Sequence, residues 1–179
     1  MEATELLVKI SNILNKLKIP YIITGGMAVS VWGRPRFTAD IDIVAEILPK
    51  NISLLAKELL GVDKEAIMDA LKGTGEFNFI HPQSGLKVDF WVKNDRFSKQ
   101  EIKRAVARVI DETTANFISP EDLILSKLLW YKSSSSTRQL EDIESVLRIS
   151  KIDMDYVRKM AKQQMTLDIL EELHKKIKN

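Results

Sequence analysis

The sequence predicts an α/β (α+β) chain, with a mixed α/β front over residues 1–118 and a helical C-terminal region over 119–179 packing on it. Two observations carry this. In the front part, short apolar and β-branched runs punctuated by Gly and Pro alternate with stretches of helical periodicity. After Ser119-Pro120 the chain reads as helices joined by short polar breaks. A length of 179 residues is enough for one good core, or for one domain plus an appendage.

Residues 2–18 form an amphipathic helix on paper: Leu6, Leu7, Ile10, Ile13, Leu14 and Leu17 recur at helical spacing, and Pro20 stops the run. Tyr21–Thr24 is a strand broken by Gly25-Gly26, and Met27–Trp32 has room for about two helical turns. Ala39–Glu46 is a second strand, stopped by Pro49. Asn51 caps a helix over Ile52–Leu60 that Gly61 ends, and Asp63–Leu71 makes another. Glu76–His81 and Leu86–Val92 read as a hairpin around the turn residues of HPQSG. Lys99–Arg108 reads as a basic helix, with paired strands over Val106–Ile110 and Thr113–Ile118 as the competing assignment. Ser119-Pro120-Glu121-Asp122 is a helix start: a serine cap, a proline at the first helical position, and acids against the helix dipole. That helix reaches Lys132, Ser133–Ser136 is a loop, and helices over 137–148, 154–163 and 166–177 complete the chain.

Composition narrows the function classes. The chain is 45% apolar and 29% charged, as soluble globular proteins are. A net charge of +2 announces no bulk polyelectrolyte partner. The absence of cysteine excludes disulfides, zinc–thiolate sites and thiol nucleophiles, and fits a reducing compartment. The N-terminus lacks a basic region followed by an apolar run, so no signal peptide is expected. No window approaches the roughly 18 apolar residues of a membrane span, so the expected location is cytoplasmic.

The chemistry concentrates in residues 21–46 and at Asp89. Asp40 and Asp42 sit at i and i+2 of a strand and share one face. Two carboxylates so close repel unless a positive group lies between them, and a hard cation such as Mg²⁺ suits oxygen donors. Asp89 interrupts the apolar strand LKVDFWV. If that strand lies beside the first, three carboxylates converge and make a site for two divalent cations with a nucleotide. Asp40 and Asp42 would then bridge the metals, and Asp89 would ligate one and help remove the nucleophile's proton. The plainer readings are a solvated strand edge for Asp40 and Asp42, and an ion pair from Asp89 to Lys87 or Arg104. Gly25-Gly26 lets backbone N–H groups approach phosphate, or makes a tight turn without ligand. Arg34 and Arg36 suit a phosphate, or a pairing with Asp40 or Asp42.

The order Thr24-Gly25-Gly26, then Arg36-x-Thr38-x-Asp40-Ile41-Asp42, then Val88-Asp89-Phe90 resembles the nucleotidyltransferase superfamily with the DNA polymerase β-like palm. Thirteen residues separate Gly26 from Asp40. SPEDLILSKLLWY and the spacing of Arg138 and Asp142 resemble the small prokaryotic branch that includes toxin and antitoxin nucleotidyltransferases. The likeness spans about residues 20–147. It implies a mixed sheet with helices packed on it, and transfer of a nucleoside monophosphate from an NTP, such as ATP, to a hydroxyl with release of pyrophosphate. By position, it implies catalytic and metal-binding roles for Asp40, Asp42 and Asp89, with two Mg²⁺ ions. It also implies nucleotide contacts from Gly25, Gly26, Arg36 and Lys127. The plainer reading of Lys127 is a solvated helix face, and an i,i+4 pair with Asp142 accounts for Arg138. Gly26 stands where many active members carry serine, and so offers backbone donors only.

The expected acceptor is a protein side chain or a tRNA 3′ end, with a cognate toxin or antitoxin as partner and no membrane. Lys99, Lys103, Arg104 and Arg108 can touch RNA phosphates but fit a solvated helix face better. Phe90, Trp91, Trp32 and Trp130 read as packing, so no stacking platform for bases is expected. A competing reading is a catalytically inactive module of the same fold that binds nucleotide or a partner protein. A metal-dependent hydrolase is disfavoured, because His81 and His174 have no ligand spacing.

Overall fold

The computed structural model describes residues 2–59 and 62–178. Leu60 and Gly61, expected as the end of the third helix, lie outside the described residues. The chain divides into two compact units, Met1–Met27 with Phe37–Ile118, and Ala28–Arg36 with Ser119–Asn179.

The first unit is built on a six-stranded mixed sheet. Its strands are β1 (Tyr21–Ile23), β2 (Asp40–Ala45), β3 (Glu76–Ile80), β4 (Lys87–Val92), β5 (Val106–Ile110) and β6 (Thr113–Phe117), in the order β3-β4-β2-β1-β6-β5. β2 runs parallel to β4 and β1 parallel to β6, and the other neighbours are antiparallel. The expected hairpin of β3 and β4 is present, with Phe77 stacked on Phe90 at a centroid distance of 4.8 Å. Such a pair contributes about 1 kcal/mol beyond its buried area.

β1 is buried along its whole length, whereas β4 alternates strictly: Val88, Phe90 and Val92 point into the core and Lys87, Asp89 and Trp91 do not. That alternation puts both of its charges on one face. Helix α1 (Ala3–Lys16) turns Leu6, Leu7, Ile10 and Leu14 inward and lies against β6. Asn12 Nδ2 bonds Thr113 Oγ1 at 3.0 Å, and Asn15 Nδ2 bonds the Thr114 carbonyl at 2.8 Å. Helices α3 (Ile52–Glu58) and α4 (Lys64–Asp69) follow β2, and α5 (Arg96–Lys103) follows β4.

Two expectations are corrected here. The basic helix does not reach Arg108: α5 ends at Lys103, and Val106–Ile110 pairs with Thr113–Phe117. Asp95 caps the helix by accepting from Phe97 N and Ser98 N, so the helix starts three residues earlier than expected. The β-branched Val106, Val109, Ile110, Thr113 and Thr114 then favour a hairpin. Asp111 and Glu112 both take positive φ, 45° and 67°, the geometry of the tight turn that matches strand twist. The basic set is therefore split, with Arg108 exposed on a strand rather than on a helix face. The second correction is Trp130, which is 51% exposed instead of packed.

The second unit holds α6 (Pro120–Ser134), α7 (Thr137–Ile149), α8 (Met154–Gln163) and α9 (Leu167–Lys178). Ser119 Oγ caps α6 by accepting from Asp122 N, as its sequence predicts. The helix takes in Ser133 and Ser134, whose hydroxyls bond back to the Trp130 carbonyl. Leu123, Ile124, Leu128, Ile143, Val146, Val157 and Leu170 form the core of this unit. Helix α2 (Gly25–Trp32) begins at the glycine pair itself, two residues earlier than expected. Among the described residues no helix is long and apolar enough to cross a membrane.

Candidate active site

β2 and β4 settle the condition on which the three-carboxylate reading hung. Being parallel and in register, they set Asp40 level with Lys87 and Asp42 level with Asp89. Directly opposed residues of paired strands project from the same face. Asp40, Asp42, Lys87 and Asp89 therefore share a face, and all four are half-buried. On the far side of β4, Asn78 of β3 lies level with Asp89 and adds a neutral polar neighbour.

Lys87 bonds Asp89 with its ammonium, 2.9 Å from each carboxylate oxygen. Of the two ion-pair partners open to Asp89 in the sequence, Lys87 is the one it takes. The Lys87 ammonium is held above the ordinary lysine value, first by this bond and then by the fields of Asp89, Asp40 and Asp42, against some loss of hydration. The lysine thus feels all three carboxylates.

The glycine pair is shaped by its neighbours across the face. Gly25 has φ +60°, and a Cβ built there would overlap the Asp42 carboxylate. Its missing side chain is the space that carboxylate fills. A Cβ at Gly26 would lie 2.6 Å from Thr38 Oγ1 and 2.7 Å from Thr38 Cβ. Serine at position 26 would therefore collide with Thr38, which gives a physical reason for glycine there. Thr38 Oγ1 in turn donates to the Asp40 carbonyl at 3.2 Å, and Thr24 N donates to the Asp42 carbonyl at 2.9 Å. These bonds tie the strand end, the glycine turn and the loop before β2 into one local framework. In the sequence Thr38 stands out only as a member of the string Arg36-x-Thr38-x-Asp40. Its packing on Gly26 has no sequence signal, because the two are joined only through the fold.

Arg36 and Lys127 are brought together by a residue that sequence reasoning assigned elsewhere. Both bind Asp142 on α7. Arg36 is bidentate, with Nε 2.8 Å from Oδ1 and Nη2 2.9 Å from Oδ2. Lys127 Nζ lies 2.7 Å from Oδ2 and 2.9 Å from Gln139 Oε1. The Lys127 side chain is 8% exposed, so it is not on a solvated helix face. Asp142 bonds these two cations in place of the expected i,i+4 pair with Arg138. Burial pushes the Asp142 carboxyl up, but the bonds and charges of Arg36 and Lys127 outweigh it and hold it below its ordinary value. One signal for this cluster is readable in hindsight: Asp142 lies on the buried stripe of α7 beside Ile143 and Val146, where a charge needs a partner. Arg34 N donates to Ser145 Oγ, also on α7.

The oxygen donors Asp40, Asp42 and Asp89 fit a hard divalent cation in chemistry and in register, and Gly25 leaves room for one of them. As they stand, no three or more acids or histidines among the described residues are grouped closely enough to share an ion. The histidines offer no alternative centre: His81 bonds Ser84 Oγ and His174 approaches Arg158.

Comparison with known proteins bears on the fold and the family. A family described as "Nucleotidyltransferase of unknown function (DUF6036)" matches residues 1–178. No curated protein matches. Among solved structures, the antibiotic-resistance factor ANT(2'')-Ia in solution aligns over 97% of this chain and 98% of its own, at a TM-score of 0.58 and 14% identity. The lincosamide antibiotic adenylyltransferase LnuA, bound to lincomycin, aligns over 84% of this chain and 99% of its own, with TM-score 0.52 and 15% identity. An antigenic nucleotidyltransferase-like protein from Paracoccidioides brasiliensis covers 80% of this chain and 73% of its own, with TM-score 0.52 and 20% identity. These likenesses are of fold. The family match spans almost every residue described above, and by it the chain belongs to this nucleotidyltransferase family.

Proposed function

We propose that the chain transfers a nucleoside monophosphate from an NTP to an acceptor hydroxyl, with Asp40, Asp42 and Asp89 holding Mg²⁺. One observation carries this reading: Asp42 and Asp89 stand level on adjacent parallel strands, with the Asp42 carboxylate seated against Gly25. When bound, two Mg²⁺ ions would offset the triphosphate charge and make the acceptor hydroxyl a better nucleophile. Asp40 and Asp42 hold their oxygens to the shared face through the i,i+2 geometry of β2. Asp89 accepts the hydroxyl proton once Lys87 has left it. The first N–H groups of α2, at the glycine pair, orient phosphate oxygens. The P–O bond to the leaving pyrophosphate breaks as the acceptor oxygen bonds to the α-phosphorus.

The proposed acceptor is a protein side chain or the 3′ end of a tRNA, and the proposed setting is a cytoplasmic toxin–antitoxin pair. The nucleotide role proposed for Arg36 and Lys127 is measured through the KM for NTP in Arg36→Met and Lys127→Met, provided both variants fold. A second reading is favoured by the Lys87–Asp89 pair: a module in which the lysine stays in place and nucleotide or a partner protein binds without turnover.

One experiment separates the two. The protein is incubated with each radiolabelled NTP, Mg²⁺ and either total tRNA or cell lysate, beside Asp40→Ala, Asp42→Ala and the double variant. Incorporation lost in the variants supports the transferase. NTP binding without incorporation supports the module. A double variant as active as the parent protein would defeat the metal reading.

A further inference from the structure

We propose that Lys87 is a built-in counter-ion of the carboxylate face and competes with a divalent cation for it. The inference rests on the proposed metal-binding role of Asp40, Asp42 and Asp89. It adds a residue which that role does not use.

A lysine two residues before an aspartate on a strand is ordinarily a surface ion pair of little consequence. Three observations set Lys87 apart. Its ammonium is 2.9 Å from both oxygens of Asp89, so it takes the oxygens a cation would need. Its backbone is level with Asp40, and Asp89 is level with Asp42, so the lysine stands on the shared face rather than at its margin. Its side chain is 43% exposed against 19% for Asp89, so the ammonium can swing into water while the carboxylate stays. An ammonium is compact and flexible on its stem, unlike a guanidinium fork, and exchanges for an ion readily.

The physical consequence is a balance. With Lys87 in place, repulsion among the three carboxylates is partly offset and Asp89 is held by one partner. A divalent cation brings twice the charge and more than one oxygen contact, but must expel the lysine. Removing the lysine charge should therefore tighten cation binding, even though the same change costs the cation-free face its counter-ion. A unit charge about 4 Å from a divalent cation is worth roughly a tenfold or larger change in affinity, even in strongly screening surroundings.

The test uses the full chain and Mn²⁺ alone, followed by loss of the free-ion paramagnetic resonance signal. Lys87→Met should bind Mn²⁺ about tenfold more tightly than the parent protein, and Lys87→Arg, whose fork is harder to expel, should bind it no more tightly than the parent. Equal or weaker binding by Lys87→Met would overturn the proposal. If Lys87→Met does not fold, the parent protein decides: acetylation of Lys87 by a mild acylating reagent, read by mass spectrometry, should be faster with Mn²⁺ than without it. An unchanged rate would overturn the proposal. Asp42→Asn separates the two layers of the argument. Binding lost in Asp42→Asn but unchanged in Lys87→Met sinks the counter-ion and leaves the metal site standing. No Mn²⁺ binding by the parent protein or by Lys87→Met sinks both.

Discussion

The face of β2 and β4 carries three carboxylates and one lysine, whereas Arg36, Lys127 and Asp142 form a cluster of two cations on one carboxylate. The first is half-buried and its lysine can reach water. The second is sealed at its centre, where the side chains of Asp142 and Lys127 are 4% and 8% exposed, and half-open at Arg36, which is 26% exposed. A half-buried group carrying surplus charge of one sign can exchange partners. A buried carboxylate bonded to two cations exchanges less readily, and acts as a fastening. The difference separates a carboxylate face whose partner can be exchanged from a carboxylate fastened by two cations, and substitutions can test that division.

The largest expected effect lies in the sealed cluster. Asp142→Ala leaves Arg36 and Lys127 without their carboxylate and should cost about 3–5 kcal/mol, read from urea unfolding. Its pH signature follows from the lowered carboxyl. A carboxylate more acidic in the folded chain than in the unfolded one contributes stability above the unfolded value of about 4, and loses it as pH falls through the folded value. Asp142→Asn should therefore flatten the loss of stability between about pH 5 and pH 2. An acid limb as steep as the parent's would remove Asp142 from the account.

Next comes the open face. Asp42→Asn should lower nucleotidyl transfer by about a hundredfold or more, while unfolding in urea stays within about 1 kcal/mol of the parent. A loss of stability as large as that of Asp142→Ala would mean that the two clusters do the same job and that the contrast drawn above is wrong.

Gly25→Ala stands between the two. It forces a side chain onto the Asp42 carboxylate at a φ of +60°, so both stability and transfer should fall. The stability cost is about 1–3 kcal/mol from strain and overpacking. Gly26→Ser, which meets Thr38 instead, should be partly rescued by Thr38→Ala or Thr38→Gly, because the obstruction comes from that one side chain. Urea unfolding of the single and double variants checks this, and additive losses would remove Thr38 as the cause.

Sequence and structure part company along the same line. Asp40 and Asp42 are legible because their relation is local: i and i+2 on a strand share a face wherever the strand goes. Asp89 is legible as an oddity, a charge in an apolar run. That it stands level with Asp42 depends on β2 and β4 being parallel neighbours, which no local pattern states. The Asp142 cluster depends on pairs 106 and 15 residues apart, and its local alternative, Arg138 at i−4, looked sufficient. The strand β5 was readable from its β-branched residues but lost to the helical count of lysines and arginines. There the hairpin turn at Asp111-Glu112 decided, through two positive φ angles that neither residue type announces. Local geometry carries over from sequence, and partner choice does not.

The smallest expected effect sharpens the comparison from inside the second unit. Asp122 is as buried as Asp142, at 1% exposure, and one of its partners is the neutral Tyr156 hydroxyl, 2.8 Å from Oδ1. It also sits in the first turn of α6, where the helix dipole favours a negative charge, and its own N–H is taken by the Ser119 cap. Removing a phenol strands no cation, unlike removing the Asp142 carboxylate. Tyr156→Phe should therefore cost about 1.5 kcal/mol in urea unfolding, well below Asp142→Ala, because it deletes a neutral donor's hydrogen bond to a charged group. A cost approaching that of Asp142→Ala would show that burial of the carboxylate, rather than the charge of its partners, sets the energy in both places.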